Sequence, residues 1–120
     1  MIKSYKDLDV WKKSIELVKV IYKITSNFPK EEQFGLVSQM RRSAVSIPSN
    51  IAEGKTRQHK NEYIQFLYIA LGSSSELNTQ AIIANELNFI KSQSIDVLLD
   101  DIDHVSRMLH NLIGSLKRKP

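Results

Sequence analysis

The chain contains no cysteine. Disulfides, thiolate zinc sites and thiol nucleophiles are excluded together, and the composition fits a reducing compartment. Glycine and proline are scarce, at four and three of 120 residues, which excludes fibrous and low-complexity classes. No apolar run approaches the roughly 18 residues that span a bilayer. The opening MIKSYKDLDVWKK has no uncharged apolar segment, so it does not read as a secretory signal. A cytoplasmic protein with no membrane contact is therefore expected. Phosphate-binding and nucleophile-elbow motifs are missing too: there is no Gly-x-x-x-x-Gly-Lys-Ser/Thr, no Gly-x-Ser-x-Gly and no Rossmann glycine pattern. No catalytic residue and no cofactor site can be named, and the expectation is that the protein is not an enzyme.

What is present is a globular composition, 42% hydrophobic and 25% charged. The length suits one domain over residues 1–120. The net charge is +4, unevenly placed. Residues 1–60 carry 12 Lys/Arg against 6 Asp/Glu, whereas residues 61–120 carry 5 against 7. A basic half beside a mildly acidic half suits an anionic partner, RNA or DNA among them. A merely solvated surface is the alternative.

Apolar spacing predicts four helices, at about 8–27, 32–54, 60–87 and 94–117. In the first, Leu8, Trp11, Ile15, Val18, Tyr22 and Thr25 form one stripe, widened by Leu17 and Ile21. Asp7 or Asp9 is the expected cap. Trp11 lies in register with Ile15 and Val18, which favours core packing over base stacking. The second helix carries Val37, Met40, Ala44, Ile47 and Ile51, interrupted by Pro48, where a kink or break is expected. Gly54 is the expected left-handed stop. The third has Tyr63, Phe66, Leu67, Ala70, Leu77, Ala81 and Ala84 around a central Gly72-Ser73-Ser74-Ser75, which suggests close helix–helix approach. The fourth is the cleanest heptad, from Ile95 through Leu98, Ile102, Val105, Leu109 and Leu112 to Leu116, with Ser92 or Ser94 as cap. No strand signal competes. The fold expected is all-α, an antiparallel up-down-up-down four-helix bundle.

Helical projection of the second helix puts Arg42, Ser46, Ser49 and Glu53 opposite its core stripe. Two small serines there suit close approach by another helix, so these four are candidates for an oligomer interface. Arg41 falls at the core edge, where its stem can run along apolar neighbours. Ser73, Glu76 and Gln80 form a polar ladder suited to meeting the polar face of helix 2. The loop Lys55-Thr56-Arg57-Gln58-His59-Lys60 is a candidate phosphate contact or, equally, a solvated loop. With it, Lys12, Lys13, Arg41 and Arg42 complete the candidate nucleic-acid contacts Lys12, Lys13, Arg41, Arg42, Lys55, Arg57 and Lys60.

A four-helix bundle raises the question of a di-metal site, which needs two Glu-x-x-His pairs. None exists, and Asp101-x-x-His104 occurs once. No metal site is expected.

The segments FGLVSQMRRSAVSIPSNIAEGKTR and EYIQFLYIALGSSSELNTQ, with Val10-Trp11-Lys12-Lys13 and the Phe28-Pro29 turn, resemble the 23S rRNA-intervening-sequence protein family, also called the four helix bundle protein family. The resemblance covers essentially the whole chain and is most specific from Gln39 to Gly54. It implies a left-handed bundle assembled into a ring, a homopentamer being favoured. It also implies relatives encoded inside insertions of large-subunit ribosomal RNA genes. A similar bundle is the accessory protein of diversity-generating reverse transcriptases, where it binds nucleic acid and the polymerase, so such an enzyme is a candidate protein partner. The family has no established enzymatic activity. The function expected is a ring-forming nucleic-acid-binding accessory protein; an oligomeric protein-interaction scaffold without a nucleic-acid role is the alternative.

Overall fold

The computed structural model describes residues 4–120. A 3-10 turn, Tyr5–Asp7, leads into α1 (Asp9–Thr25); a second, Lys30–Glu32, precedes α2 (Leu36–Lys55). Helices α3 (Lys60–Glu86) and α4 (Ser92–Arg118) follow after short links. Each helix packs on two neighbours in cyclic order, and among the described residues no diagonal pair approaches closely at the backbone. The bundle measures 49 × 24 × 20 Å.

Cross-helix contacts give the directions. Gly54, near the end of α2, lies against Tyr63 and Phe66 near the start of α3. Ser46 and Ser73, farther back on each helix, share a hydrogen bond of 2.8 Å. Arg41 near the start of α2 bonds to Thr25 at the end of α1, and Lys117 near the end of α4 bonds to Tyr68 near the start of α3. Farther along, Trp11 of α1 shares a groove with Ser49 and Ala52 of α2, and Asn78 of α3 shares one with Ile102 and Ser106 of α4, so in each pair one number rises as the other falls and these neighbours are antiparallel.

The core is apolar: Leu17, Ile21, Met40, Ile47, Ile51, Leu67, Leu77, Leu98, Ile102, Val105 and Leu109 are almost wholly buried. Helix α4 follows its heptad until the last turns, where Ile113 replaces the expected Leu112 as the buried residue. An α-helix drifts from a seven-residue repeat by about 20° per heptad, which brings Ile113 inward.

Helix α1 differs more. Its buried residues are Val10, Ser14, Leu17, Ile21 and Thr25. Trp11, Ile15 and Val18 are only half-buried, and Tyr22 is exposed. Leu8, Leu17, Ile21 and Thr25 are buried as expected, but the centre of the core face is turned about 100°, one residue step, from that of the expected stripe. The cause is chemical. Ser14 donates to the Trp11 carbonyl at 2.7 Å, and Thr25 donates to the Ile21 carbonyl at 2.7 Å. A hydroxyl satisfied within its own helix can sit in a core. Ser74 does the same with the Leu71 carbonyl at 2.7 Å.

Several local expectations are corrected. Leu8 holds the N-cap position of α1, between the two aspartates expected there. Helix α2 begins later than expected, at Leu36, behind Gly35. It runs unbroken through Pro48, which is itself buried. Gly54 is no left-handed stop, because the helix continues to Lys55 and Thr56 takes the C-cap in right-handed geometry. A Cβ on Gly54 would stand 2.8 Å from the Phe66 Cβ and 3.0 Å from the Tyr63 Cδ1, so this glycine lets α2 and α3 touch. Conversely, a Cβ on Gly72 would meet nothing within 4 Å. The close approach expected at Gly72 occurs at Gly54. Lys91, with no side-chain capping bond, precedes α4 in place of Ser92 or Ser94.

The α3–α4 link contains the one left-handed residue outside glycine among those described, Asn88 at φ 65°. Phe89 N–H donates to the Ala84 carbonyl at 2.8 Å and Asn88 N–H to the Asn85 carbonyl at 3.0 Å. These bonds make a Schellman stop. Phe89 then packs on Phe28, ring centroids 5.5 Å apart, and ties the two loops at that end together.

Candidate nucleic-acid interface

Antiparallel packing gathers one end of the bundle from three separated segments: the start of α1, the α2–α3 link with the start of α3, and the end of α4. Lys60 Nζ donates to the Lys119 carbonyl, which joins the start of α3 to Lys117-Arg118-Lys119 at the end of α4. Tyr5 and Trp11 share a groove with Ser49 and Ala52, which puts the start of α1 at the same end. The cations collected there are Lys6, Lys12, Lys55, Arg57, Lys60, Lys117, Arg118 and Lys119, against Asp7, Asp9, Glu53 and Glu62. This triplet is not among the seven candidates taken from the sequence; its convergence with the loop follows from topology.

Of the seven candidate phosphate contacts, Lys12, Lys55, Arg57 and Lys60 belong to this end. Lys13 lies a little farther along α1, facing Asp101 of α4 at 3.8 Å. Arg41 and Arg42 do not join them. They lie about 20 Å from Lys55 along α2, at 1.5 Å per residue. Arg41 is structural: Nε donates to Thr25 Oγ1 at 2.9 Å, Nη2 donates to the Tyr22 carbonyl at 3.3 Å, and the guanidinium lies 4.4 Å from the Tyr22 ring centroid. It serves the carbonyl end of α1, where a cation also meets the negative pole of the helix. Arg42 is exposed and makes no ion pair among the described residues.

The candidate interface stripe of α2 also divides. Ser46 turns inward to Ser73, and Asn50 Nδ2 donates to its hydroxyl at 2.9 Å. Thus the ladder on α3 does meet the polar face of α2, through Ser73. Glu53 pairs with Arg57 of the same chain at 3.1 Å. Arg42 and Ser49 remain exposed.

Three aromatic rings on the first turns of α3 each have a cation nearby. Lys55 Nζ lies 5.7 Å from the Tyr63 centroid, and the Arg57 guanidinium lies 4.8 Å from that of Phe66. Burial raises the Tyr63 pKa above its ordinary value. Lys117 Nζ is 5.1 Å from the Tyr68 centroid but only 2.6 Å from its hydroxyl. An ammonium over the ring face and so near the hydroxyl would stand much closer to the centroid. Lys117 therefore sits off the hydroxyl edge and leaves the ring faces uncovered by its charge.

Two apolar features lie elsewhere. Between α1 and α2, a groove lined by Trp11, Ile15, Val18, Val45, Pro48 and Ala52 shares Val45 with a second groove of about 560 Å³ beside Tyr22, Phe34 and Arg42. Phe34 is 95% exposed. On α3, Ile69, Ile82 and Ile83 are exposed on the same helix as the uncovered Gly72. Among the described residues no three His, Cys, Asp or Glu side chains cluster as metal ligands would. Ser106 and His110, four residues apart on α4, share no hydrogen bond. No helix is long and apolar enough to cross a membrane.

These features define an all-α bundle with one basic end and apolar flanks. A model of the 23S rRNA-intervening sequence protein family matches residues 6–111, and the chain belongs to that family. A crystal structure of a protein of unknown function from the S23 ribosomal protein family of Bacteroides thetaiotaomicron superposes with a TM-score of 0.78. It is 26% identical, over 87% of this chain and 97% of that one. No curated protein matches the chain.

Proposed function

We propose that this protein is a non-enzymatic accessory factor that binds the phosphate backbone of RNA or DNA through its basic end. The observation that carries the proposal is the meeting of the start of α3, just after the α2–α3 link, with Lys117-Arg118-Lys119. Phosphate contacts from such a surface position a nucleic acid without reading its sequence. Each neutralised phosphate releases counterions, so a footprint of about four to six phosphates lowers duplex affinity roughly 10²- to 10³-fold between 50 and 200 mM salt. Titration of labelled structured RNA and duplex DNA at those two concentrations tests this. No binding at the lower one, or affinity indifferent to salt, refutes it.

Homo-oligomerisation belongs to the same proposal, a homopentameric ring being favoured. Gly72 supports it: a mid-helix glycine costs roughly 1 kcal/mol against alanine, and nothing within the protomer approaches it. A ring multiplies each weak contact, because later contacts form at high effective concentration. Light scattering gives the subunit number, and a monomer at micromolar concentration refutes assembly.

A scaffold without a nucleic-acid role, its partner a protein such as a reverse transcriptase, is the second reading. It is favoured by the internal engagement of the loop cations: Arg57 already holds Glu53, and Lys60 a carbonyl. Under it, Arg42→Ala breaks the oligomer while the basic end binds neither RNA nor DNA.

A further inference from the structure

We propose that Tyr68 is a stacking platform for an unpaired nucleobase, so that the basic end prefers single-stranded RNA or DNA to duplex. The inference rests on the phosphate-binding function proposed above and deepens it. Phosphate contact alone does not distinguish an unpaired strand from a duplex. An aromatic face does, because bases within a duplex are already stacked on one another.

Five rings lie near this end; Tyr5 and Trp11 are half-buried and packed edge-to-face on each other, centroids 5.5 Å apart, and two of the three on α3 are also unavailable. Tyr63 is 8% exposed, and its ring is pressed into the contact with Gly54. Phe66 is half-buried, with the Arg57 guanidinium 4.8 Å from its centroid. Tyr68 is 45% exposed. Its hydroxyl accepts a 2.6 Å hydrogen bond from Lys117, which fixes the ring from its edge. The ammonium does not lie over the face, as the 5.1 Å distance to the centroid requires. An exposed ring held at its rim already has part of its rotational freedom removed, which lowers the cost of binding a base.

The surrounding charge suits the remainder of a nucleotide. Lys117 stands at the rim of the ring, and Lys60 is drawn to the adjoining carbonyl of Lys119. Arg118 and Lys119 are exposed beside them. A base on Tyr68 would leave its phosphates among these cations. Groups of this kind, an aromatic face beside cations that track the backbone, bind single strands with little sequence preference because every base has a π-face.

The test uses the full chain, with fluorescently labelled 20-nucleotide oligouridylate and oligothymidylate as single strands and a random-sequence duplex of equal length. The single strands should bind more tightly than the duplex at matched salt. Tyr68→Leu should weaken single-strand binding roughly 5- to 150-fold per engaged base. It should leave duplex affinity and the salt slope unchanged, since no charge is removed. Tyr68→Phe keeps the face and should stay within about threefold, well short of the loss expected for removing a stacked base. Lys117→Gln should weaken both ligands and reduce the salt slope. The oligouridylate and oligothymidylate arms show whether RNA or DNA is preferred. Circular dichroism checks that each variant is folded, which exposure of the ring favours. Equal losses for single strand and duplex, or no loss with Tyr68→Leu, overturn the platform while leaving phosphate binding intact. Absence of binding to all three ligands at 50 mM salt overturns both.

Discussion

The two glycines at the centres of the expectations supply a sharp test, because alanine should act oppositely at each. At Gly54 the added Cβ lies 2.8 Å from the Phe66 Cβ and 3.2 Å from the Tyr63 carbonyl oxygen. Neither atom is the far end of a flexible side chain, so α2 and α3 must part. Overpacking of this sort costs about 1–3 kcal/mol. The better helix propensity of alanine returns roughly 1 kcal/mol. With two of the obstructing atoms attached directly to backbone, we expect a net loss of about 1–2 kcal/mol for Gly54→Ala. At Gly72 there is no obstruction within the protomer, so Gly72→Ala should gain about 1 kcal/mol. For a chain of this size each kcal/mol moves the melting temperature by about 3–5 °C. The two variants should therefore melt roughly 6–15 °C apart, Gly72→Ala the higher. Thermal unfolding followed by circular dichroism at the lowest usable concentration reads the protomer, and light scattering at high concentration reads assembly. If a second copy covers Gly72, its alanine variant should stabilise the protomer yet weaken the oligomer. A Gly54→Ala protein that melts at or above the wild-type temperature would refute the close-packing account.

Three further outcomes follow from individual side chains. Arg41→Ala should cost about 1–2 kcal/mol in chemical denaturation, allowing for partial exposure, whereas Arg42→Ala should stay within about 0.5 kcal/mol in the monomer; equal effects would contradict the separation of the pair. Asn88→Val should lose about 1–2 kcal/mol because a β-branched residue resists the left-handed backbone, while Asn88→Gly should be nearly neutral, both measured by urea titration. Tyr63 keeps its proton to higher pH when folded than when unfolded, since burial raises its pKa. It therefore adds no pH dependence below about pH 10, its unfolded value, and stability falls as the unfolded chain begins to ionise above that. Tyr63→Phe should flatten this alkaline decline, and an unchanged slope would discount the group.

The helices were legible because their periodicity is strong and their links are short. Three of the four core faces follow directly from the spacing of Met40, Ala44, Ile47 and Ile51, of Leu67, Ala70, Leu77 and Ala81, and of Leu98, Ile102, Val105 and Leu109. The fourth was misplaced because Ser14 looks polar on paper. It spends its donor on the Trp11 carbonyl of its own helix, and then packs as a small core residue. The split between Arg41 and Arg42 was legible, because roughly 100° of helical rotation puts one at the core edge and the other opposite it. The partners of Arg41, Thr25 and the Tyr22 carbonyl at the end of α1, were not, since they belong to another helix. Gly54 and Gly72 show that a glycine's need for space is a property of the partner helix, which spacing along one helix does not contain. The basic end was half legible. The loop declared itself by composition, but its union with the C-terminus depends on which helix ends coincide.

Whether that basic end reflects more than helix electrostatics can be argued from its own residues. Cations at a helix C-terminus offset the negative pole, so Lys55 at the end of α2 and Lys117 and Arg118 at the end of α4 have a stability role available. If that role were the whole cause, the other two C-termini should be equally basic. They lie at the opposite end of the bundle, where α1 has Lys23 in its last turn and α3 has no basic residue in its own. Moreover, Lys60 is the first residue of α3 and Lys12 lies in the first turn of α1. Both meet the positive pole of their helices, which disfavours a cation by about 0.3–1 kcal/mol at most surface sites. Antiparallel neighbours also present alternating poles, so the bundle end as a whole carries little net dipole for these charges to neutralise. Helix electrostatics therefore accounts for Lys55, Lys117 and Arg118 and runs against Lys12 and Lys60. An anionic partner accounts for all five, and its phosphates would meet them on a surface where Tyr68 is the most exposed of the nearby rings.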